Sequence, residues 1–256
     1  MNNPADITLR EYIYSLVDCS GASAILDLGC GDGYDLRRIA ESAAREARLI
    51  GLDSSEKSIE AARTASCGDK RLTYEVADIE QGLPYNDGSF DIVFSKNLFE
   101  CIVDKEAHLR ELHRILRPGG KIICAHYDWD SQLIDCDDKD LVRRIVHSFG
   151  DWKQAWMTDC DAWMGRRLWR VFQQSALFIG AVYAKTLTET RFVPGAYGWA
   201  MINDFRALTR RGLITEDEFA RFFFDIEQRA ARDQYLYSIT MFTYVGIAAS
   251  VAPLPG

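Results

Sequence analysis

Short apolar runs alternate along the first half of the chain with segments in which apolar residues recur every three or four positions. Runs typical of buried strands occur at 24–28, 48–53, 72–76, 89–95 and 121–125. Helical spacing is found between these runs at 34–40, 58–63 and 105–116. Strands and helices in strict alternation predict an α/β fold with a parallel, doubly wound sheet. Ligands of such sheets bind at the carboxyl ends of the strands.

The first strand ends in a glycine-rich loop, Gly29-Cys30-Gly31-Asp32-Gly33, which opens the helix at 34–40. Glycine reaches positive φ at little cost and lets backbone N–H groups approach a ligand closely. A dinucleotide fingerprint requires G-x-G-x-x-G. This loop instead reads G-x-G-x-G, with Asp27 two residues before its first glycine. The spacing therefore favours a nucleotide cradle other than that of a nicotinamide dehydrogenase.

Composition excludes several classes of partner. The chain has 256 residues, 48% hydrophobic residues, a net charge of −8 and a pI of about 5.1. An acidic chain is a poor match for nucleic acid or an anionic membrane, and no apolar run reaches the roughly 20 residues of a membrane span. The start, Met1–Asp6, lacks a signal-sequence pattern. Seven scattered cysteines without a C-x-x-C pair predict reduced thiols, no metal site and a cytoplasmic protein.

Further motifs follow the glycine loop in order and at βα spacing. Asp53 ends the second strand, 24 positions after Gly29, and Asp78 and Ile79 follow the third strand. The fourth strand carries F-D-x-V-x-S at 90–95, and L-x-P-G-G at 116–120 precedes the fifth. Together these motifs resemble the class I S-adenosylmethionine-dependent methyltransferases, a Rossmann-like family. They cover residues 20–127, which we interpret as the cofactor-binding core.

The resemblance implies the cofactor S-adenosyl-L-methionine, with S-adenosyl-L-homocysteine as its product. In this family the first acid lies near the methionine end of the cofactor, the second accepts both ribose hydroxyls, and the third accepts from the adenine amino group. The corresponding residues here are Asp27, Asp53 and Asp78, and Ile79 would pack on the adenine ring. The full predicted cofactor set is Asp27, Gly29, Cys30, Gly31, Gly33, Asp53, Ser54, Asp78, Ile79, Ser95 and Asn97.

The second half of the chain predicts two more strands, at 178–190 and 235–247, among helical segments. In folds of this family the last two strands form an antiparallel edge, which gives a mostly parallel sheet of seven strands. We therefore expect a single domain over 1–256. We also expect helical insertions at 131–175 and 195–233, which would cap the strand ends and hold the acceptor.

Candidate acceptor chemistry clusters after the fifth strand. His126 could remove a proton from the acceptor, or it could simply be hydrogen-bonded at a sheet edge. Asp128 and Asp130 around Trp129 could attract a cationic acceptor, or they could form a polar turn that caps the next helix. Tyr127 completes this set. In proteins similar to this one the first helix folds over the cofactor, so Tyr12 and Tyr14 are candidate lid residues that touch the acceptor.

The resulting prediction is a methyltransferase that acts on nitrogen or oxygen of a small biosynthetic molecule. The alternatives are a C-methyltransferase, an enzyme that uses the same cradle for cyclisation or rearrangement, and a cofactor-binding protein without turnover. The family commonly carries Leu-Glu-His where this chain has Phe99-Glu100-Cys101, so a base at that position is not expected. The sequence leaves the acceptor, the pathway and the oligomeric state open.

Overall fold

A computed structural model describes the backbone of residues 4–250 and the side chains from residue 7 onward. Met1–Asn3, part of the segment without a signal pattern, and residues 251–256 of the expected single domain lie outside the described residues. The strands are β1 (Ala24–Leu28), β2 (Arg48–Asp53), β3 (Leu72–Val76), β4 (Phe90–Lys96), β5 (Leu116–Ile134), β6 (Phe178–Glu189) and β7 (Tyr237–Ala248). The helices are α1 (Pro4–Ser15), α2 (Tyr34–Ala40), α3 (Glu56–Ala65), α4 (Lys105–Ile115), α5 (Lys139–Gly150), α6 (Met164–Ser175), α7 (Tyr197–Asp204), α8 (Ala207–Arg210) and α9 (Glu216–Ala231).

The seven strands form one sheet in the order β3-β2-β1-β4-β5-β7-β6. The first five strands pair in parallel, and β7 is antiparallel to both β5 and β6. The predicted fold class, a mostly parallel doubly wound sheet with an antiparallel last hairpin, is confirmed. The strand order reverses between β1 and β4, which is where such sheets open a crevice for a ligand.

Helices cover both faces of the sheet. Side chains of β1 alternate between the faces: Ile25 packs on the side of α1, α2 and α3, and Leu26 packs on the side of α4 and α6. The strand is buried at all five positions, as expected for a central parallel strand. Because both faces are covered, the strand ends with their loops are the part of the sheet left open to a ligand.

The connection between β5 and β6 differs from the predicted insertion. Helix α6 lies flat against β5, β6 and β7, and it buries Met164, Leu168 and Phe172. It is therefore the ordinary crossover helix of the sheet and does not cap the strand ends. Helix α5 packs instead against the extended end of β5 and against α8 and α9. These helices, together with the irregular stretch 151–163, are the part of the chain that lies beyond the regular fold.

Strand β5 is longer than the apolar run that predicted it. It pairs with β4 only as far as Ala125, and it continues along β7 to Ile134 with a register shift after Asp128. The candidate acceptor residues 126–130 therefore lie within a strand and not in a loop at its end. In the described part of the chain, no helix is long and apolar enough to cross a membrane.

Candidate functional site

The glycine loop crosses from β1 to α2 above the end of the neighbouring strand β2. Gly29 and Cys30 donate their backbone N–H groups to the carbonyl oxygen of Leu52, at 2.8 and 2.9 Å. Gly29, Gly31 and Gly33 all have positive φ, at 69°, 53° and 73°. A side chain at Gly33 would meet the ring of Tyr74 at 2.6 Å, whereas one at Gly31 would meet nothing within 4 Å. The loop is thus packed on one side and open over Gly31.

Asp53 ties this loop to the start of α3. Its Oδ2 accepts the backbone N–H of Gly31 at 2.9 Å, and its Oδ1 accepts that of Ser55 at 2.9 Å. A carboxylate offers about four acceptor positions, so two remain available. The side chain is partly exposed and lines a cavity. Asp53 is therefore held rigidly with unused acceptor capacity facing that cavity.

The cavity lies over the carboxyl ends of β1 to β4 and has a volume of about 580 Å³. Its lining includes six of the predicted cofactor residues, namely Gly29, Asp53, Ser54, Asp78, Ile79 and Asn97. Asp78 is exposed, and its oxygens accept from the backbone of Glu80 and the side chain of Gln81 at 3.1 and 2.9 Å. Six of the eleven sequence-predicted cofactor residues thus lie together around one opening, whereas Asp27, Cys30, Gly31, Gly33 and Ser95 do not line it. The roles of all eleven toward a cofactor stay predictions.

Asn97 and Ser95 come from the end of β4. Asn97 adopts a left-handed conformation with φ of 53°, and its Oδ1 accepts the backbone N–H of Tyr127 at 3.2 Å. This bond links β4 to β5 at the mouth of the cavity. Ser95 and Cys30 are buried and do not line the cavity, and burial raises the pKa of the Cys30 thiol. Both fit best as packing residues beneath the site.

Asp27 is the most unusual group beneath the glycine loop. Its side chain is 2% exposed, and its Oδ2 has no hydrogen-bond partner. Burial, reinforced by the nearby carboxylate of Asp35, raises the pKa of Asp27 well above its usual value. An unpartnered buried carboxylate is costly, so this position is suited to a bound cation.

The end of α1 is bound to Asp35, the carboxylate that neighbours Asp27. Arg10 forms an ion pair with Asp35 at 2.5 Å, and the hydroxyl of Tyr14 donates a hydrogen bond to Asp35. Tyr14 thus lies near the loop, but it does not line the cavity and its hydroxyl is already engaged. Its role as a lid residue stays a prediction. Tyr12 faces β6 instead, where the Nζ of Lys185 lies 5.5 Å from the centre of the Tyr12 ring. Tyr12 is therefore separated from the cavity and is not retained as an acceptor residue.

His126 does not line the cavity. It is fully buried, and its Nδ1 is 2.7 Å from the carbonyl oxygen of Tyr127. Its Nε2 has no hydrogen-bond partner and lies 3.8 Å from Oε2 of the buried Glu100. The side chain points to the same face of β5 as the buried Cys124, because residues two apart in a strand share a face. We therefore do not retain His126 as a base for the acceptor.

Asp128 is already engaged by an arginine. It is 1% exposed, and both of its carboxylate oxygens accept from the guanidinium of Arg166 in α6. Such a bidentate pair fixes the start of α6 against β5. The carboxylate has no free side toward the cavity, and we do not retain Asp128 as a catalytic residue.

The remaining acceptor candidates form an aromatic cluster beside the cavity. The ring of Tyr127 is buried and lies 5.3 Å from that of Trp129 and 5.5 Å from that of Tyr197. The indole of Trp129 donates to Glu100 at 2.7 Å. Asp130 accepts from the indole of Trp163, and its Oδ1 is buried without a partner. The pattern of acids and aromatic residues is thus used within the protein, and no residue from 126–130 lines the cavity.

Several cavity residues were missed or left open by the sequence interpretation. Leu98 and Ile102 follow β4 and supply apolar surface, and Cys101 lies beside them with its thiol pKa raised to about 12 by burial. Trp156 and Thr158 reach the cavity from the stretch 151–163. Trp156 is 69% exposed. No local pattern distinguishes it, because its position depends on how the stretch folds back.

Two contacts of Asp159 anchor this stretch beside the cavity. The backbone N–H of Asp159 donates to the carbonyl oxygen of Cys101 at 3.2 Å. The Nζ of Lys105 lies 3.4 Å from Oδ2 of Asp159 and donates to the carbonyl of Ile102 at 2.8 Å. The segment 156–158 is therefore held next to the residues that follow β4.

Comparison with characterised proteins places these features in a family. The chain is 31% identical over 121 residues to the ubiquinone/menaquinone biosynthesis C-methyltransferase UbiE of Geobacter sp. strain M21. The matched region is 46% of this chain and 51% of that protein. The chain is also 31% identical over 121 residues to the 27-O-demethylrifamycin SV methyltransferase of Amycolatopsis mediterranei, covering 46% and 43%. The chain thus spans about half the length of these relatives.

The fold agrees with solved structures. The YcgJ protein from Bacillus subtilis superposes with a TM-score of 0.64 at 14% identity, over 96% of this chain and all of that one. The family model described as a methyltransferase domain matches residues 20–186, which is more than half of the chain. Together with the glycine loop, the acids at the strand ends and the seven-stranded sheet, this match shows that the chain belongs to the methyltransferase domain family, of the class I, S-adenosylmethionine-dependent type.

Proposed function

We propose that this protein transfers a methyl group from S-adenosylmethionine to nitrogen or oxygen of a small-molecule acceptor. The observation that carries the proposal is Asp53, fixed by two backbone amides at the end of β2 with acceptor capacity left toward a cavity. Such a group suits two vicinal ribose hydroxyls, because each hydroxyl donates one hydrogen bond to a carboxylate.

The other lining residues fit the rest of the cofactor. Asp78 would accept from the adenine amino group, and Ile79 and Leu98 would supply apolar contacts to the ring. The open space over Gly31 would admit the backbone approach that the ligand needs. Asp27 would balance the positive charge at the methionine end. When bound, the cofactor supplies an electrophilic methyl group on a sulfonium, and the protein's task is then to align the acceptor and exclude water.

The ionisable groups of the cavity support a nitrogen or oxygen acceptor. Among the lining residues these groups are Asp53, Asp78, Glu80 and Cys101. The first two are assigned to the cofactor, Glu80 accepts the backbone N–H of Val103 at 3.0 Å, and the Cys101 thiol has a raised pKa. A ready general base is therefore absent from this lining. An amine, or a hydroxyl acidic enough to ionise by itself, reacts without one.

The relatives support methyl transfer but do not single out one acceptor atom, since their names include a C-methyltransferase and an enzyme acting on an oxygen of a rifamycin.

All seven cysteines lie within the described residues and are unpaired, which fits action in the cytoplasm. We assign cofactor binding to residues 20–127 and acceptor contacts to 151–163 and 195–233. The division at α6 replaces the insertion originally expected over 131–175.

The test is incubation of the purified full chain with S-adenosylmethionine carrying a ¹³C-methyl group and a panel of amines, phenols and quinols. We expect S-adenosylhomocysteine to form only with certain acceptors, and the methyl resonance of the product to be that of an N- or O-methyl group. A C-methyl product would contradict the assignment of the acceptor atom. Tight cofactor binding with a rearranged substrate and no S-adenosylhomocysteine would favour the non-methylating alternative.

A further inference from the structure

The outer edge of β6 is open to strand pairing. β6 ends the sheet on the side away from β3, and among residues 4–250 its outer edge has no partner. It is twelve residues long and pairs with β7 continuously from Phe178 to Glu189 without a bulge. Its one charged residue before Glu189 is Lys185. Edge strands are usually protected by short length, charges, proline or bulges, and β6 shows little of this protection.

The opposite edge of the same sheet provides an internal comparison. β3 is only five residues long, it contains Glu75, and Arg71 directly precedes it. This edge is short and charged, as expected for a strand that should not recruit another. The contrast indicates that the long apolar edge at β6 is a specific feature of this side of the molecule.

Apolar side chains stand exposed next to the open edge. Ile179 is 67% exposed, Tyr183 41% and Ile247 46%, and Ile179 and Ile247 are directly opposite each other on β6 and β7. We call these three residues the edge patch. Helix α1 covers the same face of β6 only farther along, where Tyr12 lies over Lys185. Within the part of the chain that the structure describes, the edge patch is therefore an uncovered apolar surface, continuous with backbone groups that have no strand partner.

We propose that β6 pairs antiparallel with β6 of a second copy of this chain, about a two-fold axis at Ala181. An isologous contact of this kind joins the two sheets into one. With the axis at Ala181, Ile179 of each copy lies opposite Tyr183 of the other. The pairing therefore brings Ile179 and Tyr183 of both edge patches together at once, with the small side chain of Ala181 at the centre. This self-complementarity favours a second copy over an unrelated strand.

Charge selects the register. With the axis at Ala181, Lys185 lies opposite Leu177 of the other copy, and the two lysines are roughly 27 Å apart along the strands. That separation exceeds the Debye length of about 8 Å at physiological ionic strength, so their repulsion is screened. An axis at Lys185 would place the two lysines directly opposite each other, which is unfavourable. The sequence of β6 thus disfavours the shifted dimer.

The first test is sedimentation velocity of the full chain over a wide range of concentration. We expect a reversible dimer for the natural protein and a monomer for the double variant Ile179→Lys, Tyr183→Lys. Both side chains are already exposed in one copy, so the melting temperature should hardly change. The matched control is Leu213→Lys, which adds a lysine at a 42% exposed leucine away from β6 and should leave the dimer intact.

The second test uses cross-linking at the proposed axis. In an antiparallel pair, directly opposite Cα atoms are about 4.5–5.5 Å apart, which a disulfide can span. In a Cys67→Ser background, Ala181→Cys should give a covalent dimer with glutathione disulfide as the oxidant. The control Lys185→Cys, on the same face of β6, should not.

Two results would overturn the proposal. One is a natural protein that stays monomeric at every concentration, which would leave the edge to a different partner. The other is a dimer that survives the double lysine substitution, or that cross-links at position 185 and not at 181, because the contact would then lie elsewhere or in another register.

Discussion

Asp53 shows how one side chain can organise the proposed cofactor site before any ligand binds. Asp53→Ala removes charge-assisted hydrogen bonds worth roughly 1.5–3 kcal/mol. We therefore expect S-adenosylmethionine to bind about ten- to a hundredfold more weakly. Isothermal titration calorimetry measures the change, and Glu60→Ala, an exposed acid on the neighbouring helix α3, is the control. Unchanged affinity in Asp53→Ala would remove this residue from the site.

Asp27 predicts a proton linked to cofactor binding. Burial raises the pKa of Asp27 well above its usual value, so without a ligand its carboxyl takes up a proton at a higher pH than an ordinary aspartate does. A cation bound nearby favours the carboxylate, so S-adenosylmethionine should release protons and bind more tightly as pH rises. Titrations in buffers of different ionisation enthalpy measure this release. Asp27→Asn should abolish it, and equal release in that variant would assign the proton to another group.

The geometry of the glycine loop predicts that substitution of Gly31 impairs cofactor binding, whereas substitution of Gly33 lowers stability. Gly31→Val places a side chain in open space over the loop at positive φ, so it should block cofactor binding with a modest loss of stability. Gly33→Ala places a Cβ 2.6 Å from the buried ring of Tyr74, so it should lower the melting temperature strongly. Thermal unfolding and calorimetry on both variants separate the effects. The reverse order of melting temperatures would contradict this geometry.

Helix α4 carries a pH-dependent element through His108. Burial lowers the pKa of His108 to about 4, and its Nε2 has no hydrogen-bond partner. Between about pH 6.5 and pH 4, His108 therefore binds a proton in the unfolded chain but not in the folded protein. Stability from this residue is complete above pH 6.5 and falls as pH drops through that window, by on the order of 3 kcal/mol.

Urea unfolding of His108→Leu at several pH values tests this assignment. The variant should lose less stability than the natural protein between pH 7 and pH 4.5, because the buried titration has been removed. His113→Leu is the control, since His113 is only partly buried and its Nε2 contacts the carbonyl of Ala249 at 2.8 Å. An identical pH dependence for natural protein and His108→Leu would show that His108 is not the cause.

Burial of two histidines was open to prediction from local periodicity. His108 lies four residues before Leu112 on α4, so it shares the apolar face of that helix and is buried. His126 lies two residues after Cys124 on β5, which puts it on a buried face. In both cases the pattern that identified the element also indicated where the side chain points.

At the scale of the whole molecule, the motifs of residues 20–127 located the site because each is a local backbone feature at a strand end. The connection 131–175 was harder, since helical spacing alone does not say whether a helix lies on the sheet or over its end. α6 lies on the sheet, so removal of 131–175 would delete the buried Leu168 and Phe172. It would uncover the rings of Phe178 and Tyr244 that pack on Phe172, and we expect the protein to unfold. Within the connection 131–175, the proposed acceptor role now rests on a much shorter stretch near Trp156.

Trp156→Ala is the sharper test of that stretch. Because Trp156 lines the cavity while remaining largely exposed, its removal should raise the KM for the acceptor or the Kd for the cofactor about tenfold without lowering the melting temperature. Cofactor binding should also change the tryptophan fluorescence of the natural protein but not of Trp156→Phe. Trp169→Ala, at an exposed tryptophan on α6 that does not line the cavity, is the control. Full activity and an unchanged fluorescence response in Trp156→Ala would place the acceptor elsewhere.

The position of β7 has a consequence for how the chain reaches its native state. β7 lies between β5 and β6, although it follows both in the chain, and Lys121 pairs with Ile247 across a long sequence separation. Contacts of such high contact order form slowly, because their loop-closure entropy is lost before the pairing is gained. Until Tyr237–Ala248 has been synthesised, β5 and β6 have no partner on the sides that β7 will occupy. A nascent chain that has completed the cofactor loops should therefore still depend on chaperones. Refolding of the denatured full chain should be limited by the insertion of β7 between β5 and β6.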